Sequence, residues 1–302
     1  MDHPSFTNAR AFLRNCYRPL KLRGKSRHAL RLHECTLNSF ARFLGREPDL
    51  PDLNSETISF YLTWLRDRGR AAITANDNLN RLMALARFAV LRRQLPEVPI
   101  VEPEIEPERV VRAWLLSDLE TLFSTLLELP GTICGAPASL WWSTLHLVLL
   151  FTGERISAVV SLRWDQVDLK ARWMMLTAEQ RKGKKRDKEW PLPEVVIAAL
   201  VQLKKTAKTP LVFERDFCMG TLYNRYAKIL LRAKLPTDRN SKFHRMRKST
   251  ASHFAAAGGN PTELLDHSGP RVTRKYLDRR IVREKSAADL LSAPLAALEF
   301  FR

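Results

Sequence analysis

The sequence predicts a mainly α-helical protein of two domains, the second of which contains a small antiparallel sheet. Three observations lead to this prediction. Apolar residues repeat at helical spacing through most of the chain, a segment rich in proline and glutamate divides it, and short apolar stretches bounded by turn residues occupy part of the second half. A chain of 302 residues is long enough for two domains, each with its own core.

Three helices are predicted in the first half. The apolar positions between Leu30 and Leu44 lie three, four or seven residues apart, which indicates one helical face. A second helix is predicted over 55–68. For the third, Thr74 followed by Asp77 is similar to a capping box and predicts a helix that starts there. Arginines crowd the other faces. Each alone is most simply a solvated side chain, but as a set they suit the phosphate backbone of a nucleic acid.

The stretch "PEVPIVEPEIEPER", residues 96–109, has four prolines and five glutamates. Neither a helix nor a central strand tolerates this composition, so a linker is predicted. Its negative charge between two basic halves favours a spacer over a contact with nucleic acid, and a purely mechanical spacer explains it equally well. The predicted ranges are 1–95 for the helical first domain, 96–110 for the linker and 111–302 for the second domain.

The second half is predicted to be helical around one sheet. The strands are expected within "LRWDQVDLKARWMMLTAEQRKGKKRDKEWPLP", where a basic turn separates short apolar pieces. A short helix is predicted to start at Asn260 and Pro261, in the usual order of N-cap and first turn. The longer helices are predicted at 117–129, 140–151, 194–205, 221–234 and 244–257.

The charge of the chain points to a polyanionic partner. Fifty Lys and Arg against 32 Asp and Glu give a formal net charge of +18 and a pI near 10.2. Nucleic acid is the leading candidate, because such a field concentrates polyanions at the surface. The most apolar run, Leu140 to Phe151, is too short for the roughly 20 residues of a membrane-spanning helix. No membrane partner is therefore predicted.

The cysteines and the N-terminus indicate the compartment. The N-terminal sequence "MDHPSFTNAR" lacks the apolar core of a secretion signal. The four cysteines lie far apart and form no C-x-x-C pair, which argues against a zinc site and a disulfide framework. A reducing cytoplasm is predicted, with association with the nucleoid if the source is a bacterium.

Several basic and hydroxyl-bearing residues of the second half suit chemistry on a phosphodiester. Attack on such a bond places negative charge on the nonbridging oxygens, and two guanidinium groups can hold these oxygens bidentately. No carboxylate cluster has metal-ligand spacing, so neither a metal nor another cofactor is predicted. A tyrosine nucleophile would keep the phosphodiester energy in a phosphotyrosyl ester, which allows resealing without ATP. The candidates are Arg155, Lys182, His244, Arg247, His267 and Tyr276.

These candidates belong to motifs with the order and spacing of a known family. An arginine follows a T-G-x turn in "TGERISAVVSLRWDQVDL", a lysine-bearing hairpin is expected at "RKGKKRDKEWPL", an H-x-x-R box runs from His244 to Arg247, and "LLDHSGPRVTRKY" places Tyr276 nine residues after His267. No single motif is specific, but their shared order is. The chain resembles the tyrosine recombinases, the phage integrase family of site-specific DNA recombinases.

The resemblance covers nearly the whole chain and implies a role for each candidate. The first domain would be the core-binding, SAM-like bundle and the second the catalytic domain. Tyr276 would be the nucleophile that forms a 3′-phosphotyrosyl intermediate, and Arg155 and Arg247 would hold the phosphate. Lys182 would protonate the leaving 5′ oxygen, His244 would assist proton transfer, and His267 would hydrogen-bond the scissile phosphate. No cofactor is implied.

The resemblance also implies partners. These are double-stranded DNA with a specific recombination site, further copies of the chain in a DNA-bound tetramer, and accessory proteins that bend DNA or set direction. The C-terminal tail, 283–302, is rich in leucine and phenylalanine. Packing of this tail on its own domain is the simplest expectation, whereas the family implies docking on a neighbouring protomer.

Three departures from the family pattern leave alternatives open. Ala158 stands where the family usually has an acidic residue three after the first arginine, and Asp266 replaces a glycine and places a negative charge beside His267. The hairpin is about one residue longer than expected, so Lys184 is an alternative to Lys182.

A DNA-binding relative with impaired catalysis and a type IB topoisomerase are therefore the rival functions. The short first domain and "HSGPRVTRKY" disfavour the topoisomerase. Singly, each candidate also has a structural explanation, such as core packing for Tyr276.

Overall fold

The structure is a computed structural model of the chain, and it describes residues 6–24, 27–181, 183 and 186–282. The described chain forms two compact units, Met1–Glu108 and Arg109–Arg302, and each is considered by itself. Lys182 and Lys184, the two candidates for the proton donor, lie outside the described residues, as does the tail 283–302.

The first unit is a helical bundle. Its core includes Phe40 and Tyr61, whose ring centroids lie 5.1 Å apart in an edge-to-face contact. The helix predicted over 55–68 is found within one residue of its expected ends, and the apolar face between Leu30 and Leu44 belongs to a helix that starts three residues earlier, at Arg27. The helices are α1 (Ala9–Phe12), a π-helical turn (Leu13–Tyr17), α2 (Arg18–Lys21), α3 (Arg27–Leu44), α4 (Ser55–Asp67) and α5 (Ala72–Leu91).

Helix α5 begins before the predicted start at Thr74, so that prediction is wrong. Ala71 is extended, and its carbonyl accepts hydrogen bonds from the N–H groups of Thr74 and Ala75. No side chain caps the helix. Ala72 and Ala75 are buried, and their burial in the bundle adds a turn that the polar pattern at Thr74 and Asp77 did not reveal.

The proline- and glutamate-rich segment forms neither helix nor strand, and residues 98–115 are irregular throughout. It is nevertheless bonded to the first unit. The Asn76 amide donates 2.9 Å to the Glu104 carbonyl and 2.7 Å to the Glu106 carboxylate, and its oxygen accepts from Glu104 N–H at 2.8 Å. Arg66 also pairs with Glu104 at 3.2 Å. These contacts hold part of the segment on α4 and α5.

The second unit combines helices with a three-stranded antiparallel sheet, in which β4 (Trp173–Leu176) lies between β3 (Val167–Asp168) and β5 (Lys188–Pro191). The register pairs Met174 with Trp190 and Met175 with Glu189, so β4 and β5 form the arms of the basic hairpin. The predicted sheet is confirmed. The elements are α6 (Leu116–Leu127), β1 (Thr132–Ile133), β2 (Ala136–Pro137), α7 (Ala138–Thr152), α8 (Ile156–Val159), β3 (Val167–Asp168), β4 (Trp173–Leu176), β5 (Lys188–Pro191), α9 (Glu194–Lys204), α10 (Met219–Arg232), α11 (Phe243–Ala256), α12 (Pro261–Leu264) and α13 (Pro270–Arg274).

Helix α7 is the centre of this unit and packs against α6, α9 and α11. His146 on α7 is fully buried in an aromatic stack with Tyr226 and Phe243, and its Nδ1 lies 2.8 Å from the Trp142 carbonyl. Burial lowers the pKa of His146 to about 4, so the ring packs as a neutral group. This aromatic packing joins α7 to the first residue of α11, Phe243, which directly precedes the candidate His244.

The predicted fold class, mainly helical with a small antiparallel sheet, is confirmed. The two-residue strands β1 and β2 and the short α13 were not predicted, because such short elements have no periodicity to detect. Within the described ranges no helix is both long enough and apolar enough to span a membrane.

Candidate active site

A tight turn after α7 places Arg155 in the site. Gly153 adopts φ +62°, and a Cβ atom there would lie 3.0 Å from Leu265 and 3.2 Å from Thr250. Both the left-handed backbone and the close approach require glycine. The end of α7 is therefore pressed between α11, which carries Thr250, and the segment that leads to His267.

Arg247 projects from α11 into the same place and is 2% exposed. Its guanidinium donates to the Gly153 carbonyl and, at 3.0 Å, to the Leu265 carbonyl. Burial lowers the pKa of Arg247, an effect that the nearby Glu154 carboxylate opposes. Two carbonyl groups thus fix the plane of the guanidinium.

Both arginines have a buried donor that no protein atom satisfies. Arg155 Nη1 and Arg247 Nε are inaccessible to solvent and have no hydrogen-bond partner. An unpaired buried donor is costly, and it is expected where a ligand completes the network. The two groups also repel each other, since Arg155 lowers the pKa of Arg247. An anion between them would relieve both costs, and a phosphate suits two guanidinium groups.

Tyr276 lies between two histidines. Its ring centroid is 5.1 Å from that of His244 and 4.7 Å from that of His267, and the Arg247 guanidinium carbon is 5.8 Å away. Desolvation lowers the pKa of His244 to about 4, with further lowering by the positive charges of Lys248, Arg247 and Arg155. His244 is therefore neutral at physiological pH and can accept a proton.

The hydrogen bonds of His267 define its tautomer. Arg247 only donates, so the 3.3 Å contact between its Nη2 and His267 Nε2 makes that nitrogen an acceptor. The ring proton is then assigned to Nδ1, which donates to the Thr273 hydroxyl at 3.1 Å. His267 would need a second proton to donate to a phosphate from Nε2 while it keeps its contact with Thr273.

The chain after Tyr276 is anchored by Ser252 and Asp278. The Ser252 hydroxyl donates to the Tyr276 carbonyl at 3.2 Å and accepts from Asp278 N–H at 2.9 Å. The Asp278 carboxylate is 1% exposed and accepts from Ala113 N–H at 2.7 Å. Although burial raises its pKa, hydrogen bonds from Arg280 and Ala113 outweigh this effect and bring it to about 2. Sequence analysis missed this anchor, although "KYLDRR" contains both charged partners.

We expect Asp278→Asn to cost about 2 kcal/mol of unfolding free energy at neutral pH, the value that corresponds to the lowered pKa. Because the carboxyl pKa is lowered in the folded state, the ionised carboxylate stabilises the fold above about pH 4. This stabilisation is lost as the pH falls to about 2. The stability difference between wild type and variant, measured by urea unfolding, should therefore shrink over that range. A difference that is constant from pH 5 to pH 2 would contradict the role of the carboxylate.

The described part of the basic hairpin contributes Lys188, a residue that the sequence analysis did not single out. Its Nζ donates to the carbonyls of Glu263 and Leu264 at 2.9 and 2.8 Å. Burial lowers the pKa of Lys188, and the neighbouring Arg181 lowers it further. The lysine thus ties β5 to α12, directly before Asp266 and His267.

The sequence analysis also missed the ion pairs that the buried Arg181 makes with Glu154 and with Asp266. Glu154 lies inside the T-G-x-R motif, and its carboxylate accepts from Arg181 at 2.8 Å and from Arg155 N–H at 3.1 Å. Glu154 Oε2 is 3.8 Å from Arg247. Ala158, where the family pattern has an acidic residue, is buried and apolar.

Five of the six candidates thus come together, and the sixth, Lys182, lies outside the described residues. Tyr276 contacts both histidines and Arg247, while Arg155 acts electrostatically on His244 and Arg247. Over the described stretches of the chain, no group of three or more His, Cys, Asp or Glu side chains is arranged to hold a metal ion. The arrangement can bind an anion next to a phenol and two imidazoles.

Comparison with known proteins agrees with this geometry. The phage integrase family model matches residues 118–281. A lambda integrase dimer bound to a COC′ core site superposes with a TM-score of 0.71 at 16% identity, covering 96% of this chain and 81% of that one. The Tn1549 transposon integrase in complex with circular intermediate DNA gives 0.68 at 17% identity, covering 99% and 100%. No curated protein sequence gives a significant match.

A third similar structure is the XerH site-specific recombinase bound to palindromic difH substrate, in a post-cleavage complex. Its TM-score is 0.68 at 15% identity, with 88% of this chain and 81% of that one covered. At these identities the structures establish the shared two-domain fold, while the family model matches more than half of the chain.

Proposed function

The chain belongs to the phage integrase family of tyrosine recombinases, and from this premise we propose that it is a site-specific DNA recombinase that cuts and rejoins strands through Tyr276. The proposed intermediate is a covalent bond between the tyrosine oxygen and the 3′ phosphate of the cut strand. The proposed domain ranges remain 1–95, 96–110 and 111–302.

In the proposed reaction Arg155 and Arg247 hold the nonbridging oxygens of the scissile phosphate. The donors that support this role are the unpaired Arg155 Nη1 and Arg247 Nε. Negative charge grows on these oxygens as the phosphorus is attacked, so fixed guanidinium groups stabilise the transition state more than the ground state. His267 would add a further hydrogen bond to the phosphate from Nε2 once that nitrogen is protonated, in place of its contact with Arg247.

The proton transfers balance around the phosphorus. The Tyr276 phenol loses its proton as its oxygen bonds to phosphorus, and His244, neutral in the free protein, is placed to take up that proton. The bond from phosphorus to the 5′ oxygen breaks, and Lys182 would supply the proton for this oxygen. Rejoining is the reverse, with the 5′ hydroxyl as nucleophile, so neither metal nor ATP is consumed.

The single observation that supports this function best is the contact of the Tyr276 ring with His244, with His267 and with the guanidinium of the buried Arg247. The Arg247 guanidinium is held by the Gly153 and Leu265 carbonyls, and its remaining donor, Nε, is free to bind an oxyanion next to the phenol.

We propose double-stranded DNA as the substrate and a homotetramer on DNA as the active form. The net charge of +18 supports a DNA partner. The similar lambda integrase was solved as a dimer on a core site and as a tetramer on a Holliday junction. The same proposal includes accessory proteins that bend DNA or set direction. It also includes a cytoplasmic location, with association with the nucleoid if the source is a bacterium.

The test is covalent capture. Sequences that bind the protein would first be selected from a random or host-derived DNA pool. The bound site would then be nicked near the cleavage point, so that the short fragment with the 5′ hydroxyl diffuses away and rejoining is blocked. We expect a covalent protein–DNA adduct with wild type and with Tyr223→Phe, a matched change elsewhere in the same unit, but none with Tyr276→Phe.

The rival functions give different results. A DNA-binding relative without catalysis would bind the selected site and form no adduct. A type IB topoisomerase would relax supercoiled plasmid that lacks the selected site, whereas the proposed recombinase should require that site.

A further inference from the structure

Tyr276 lies where no regular element fixes its backbone. Helix α13 ends at Arg274, and residues 276–282 form neither helix nor strand. The rate of a nucleophilic attack depends steeply on where the nucleophile is held. The position of Tyr276 therefore depends on individual hydrogen bonds to the rest of its unit.

Helix α11 supplies one set of these bonds through Ser252. The Ser252 hydroxyl donates to the Tyr276 carbonyl at 3.2 Å and accepts from the Asp278 N–H at 2.9 Å. Ser252 is fully buried, so water cannot replace either partner. Helix α11 also carries His244 and Arg247. The backbone of the nucleophile is thus bonded to the helix that bears two of the other candidate residues.

The bonds of Ser252 differ from those of Ser249, a buried serine one turn earlier on the same helix. The Ser249 hydroxyl donates to the Arg245 carbonyl, four residues before it, at 2.9 Å. This is the usual bond of a serine inside a helix. The Ser252 hydroxyl instead donates out of its helix to the Tyr276 carbonyl. Its bonding therefore links α11 to the nucleophile.

Further hydrogen bonds hold the chain on both sides of the tyrosine. The Tyr276 N–H donates to the Thr273 carbonyl at 2.8 Å, and the Thr273 hydroxyl contacts His267 Nδ1 at 3.1 Å. After the tyrosine, the buried Asp278 carboxylate accepts from Ala113 N–H at 2.7 Å. The segment is therefore bonded to the region of His267, to α11 and to the chain that leads into α6.

We propose that Ser252 is a positioning residue that sets the place of the Tyr276 oxygen relative to the phosphate held by Arg155 and Arg247. This inference rests on the proposed strand cleavage. Both bonds of Ser252 to the segment are to backbone groups, so it acts through the tyrosine and is not itself catalytic. Its loss should impair attack by Tyr276 and leave the phosphate site intact.

A substrate that needs no tyrosine separates these two effects. The selected site is prepared with a nick at the cleavage point, with a p-nitrophenyl phosphate on the 3′ end and a hydroxyl on the 5′ end. The 5′ hydroxyl loses its proton and bonds to phosphorus, while the bond from phosphorus to the nitrophenyl oxygen breaks and nitrophenolate leaves. This joining uses the phosphate site without Tyr276, whereas cleavage of the intact site needs both.

Two variants change the segment, and a third is the matched control. Ser252→Ala removes the bridging hydroxyl. Asp278→Asn removes the charge of the buried carboxylate, and it decides the question if Ser252→Ala folds poorly. Ser249→Ala is the control, because the equally buried Ser249 hydroxyl accepts from Trp114 N–H at 2.7 Å. Its loss leaves a comparable buried donor unpaired without a change at Tyr276. Thermal unfolding, DNA binding and both single-turnover rates are measured for each protein.

We expect Ser252→Ala and Asp278→Asn to slow cleavage by about 10- to 10²-fold, as a misplaced reacting group does, and to join the nitrophenyl substrate like wild type. Tyr276→Phe should join and not cleave, and Ser249→Ala should do both like wild type. Three results would overturn the inference: equal slowing of joining and cleavage in Ser252→Ala, unchanged cleavage in that variant, or the same loss of cleavage in Ser249→Ala. If wild type forms no adduct at its selected site, the proposed function fails instead.

Discussion

Arg155→Ala should lower the rate of single-turnover cleavage by about 10²- to 10³-fold, as loss of one preorganised oxyanion donor does in other enzymes. DNA affinity should fall far less, because one phosphate contact is a small part of a large basic interface. The variant should fold normally. Arg155 Nη1 has no protein partner, so its removal leaves no acceptor unsatisfied, and the backbone N–H keeps its bond to Glu154.

Arg155 is the better test residue than Arg247 for this reason. Arg247 donates to the carbonyls of Gly153 and Leu265, and an alanine there would leave both buried without a partner. A loss of activity in Arg247→Ala would then combine the effect of a destabilised fold with the effect of a lost phosphate contact. The matched control is Arg163→Ala, an exposed arginine paired with Asp165 in the same unit. A parallel loss of cleavage and binding in Arg155→Ala would contradict a transition-state role.

Local patterns in the sequence were enough to predict most of the helices of this fold. Helix α7 was predicted at 140–151 and found at Ala138–Thr152, because a long apolar run closed by a glycine is a strong local signal. The start of α5 was missed because burial of Ala72 and Ala75 depends on the packing of other helices. Tertiary packing outweighed the local capping signal at Thr74.

For the candidate site, too, local sequence patterns predicted some residues and missed the contacts that depend on the fold. Motif order identified the arginines, histidines and tyrosine that the fold brings together. The cluster around Arg181 joins residues 27 and 85 positions apart, and no local pattern links them. From sequence, Asp266 was a negative charge beside His267, whereas in the fold its carboxylate pairs with Arg181 and Arg186. Likewise, the Nδ1-protonated form of His267 follows only from its position next to Arg247.

These contacts also bear on the idea of an impaired relative. Ala158 removes one acidic group, but Glu154 places a carboxylate next to Arg247 and the Arg155 backbone. Asp266 fills the glycine position without leaving its charge isolated in the site. Within the described residues, Glu154 and Asp266 are thus both paired with arginines, and the covalent-capture experiment decides between an active recombinase and an inactive relative.

Lys182→Ala should produce the other large effect, a loss of about 10²- to 10⁴-fold in cleavage of the ordinary substrate, as expected when a general acid is removed. A sulfur-leaving substrate, with sulfur in place of the bridging 5′ oxygen, should be cleaved at nearly the wild-type rate, because its leaving group needs no proton. Lys184→Ala should cleave both substrates like wild type if Lys182 is the donor. This pair forms a matched comparison, since both lysines belong to the hairpin tip that the sequence predicts and are two positions apart.

In the reverse pattern, Lys184→Ala loses cleavage of the ordinary substrate and keeps cleavage of the sulfur-leaving substrate. The proton donor would then be Lys184, two residues further along the chain. That position would also account for a hairpin about one residue longer than the family pattern predicts. Lys188 is a poorer candidate. Its ammonium is already bonded to the Glu263 and Leu264 carbonyls, and both bonds would have to break before it could reach a leaving oxygen. A loss in Lys182→Ala that the sulfur substrate does not rescue would mean that this lysine binds the phosphate, and proton donation would then have to come from another group.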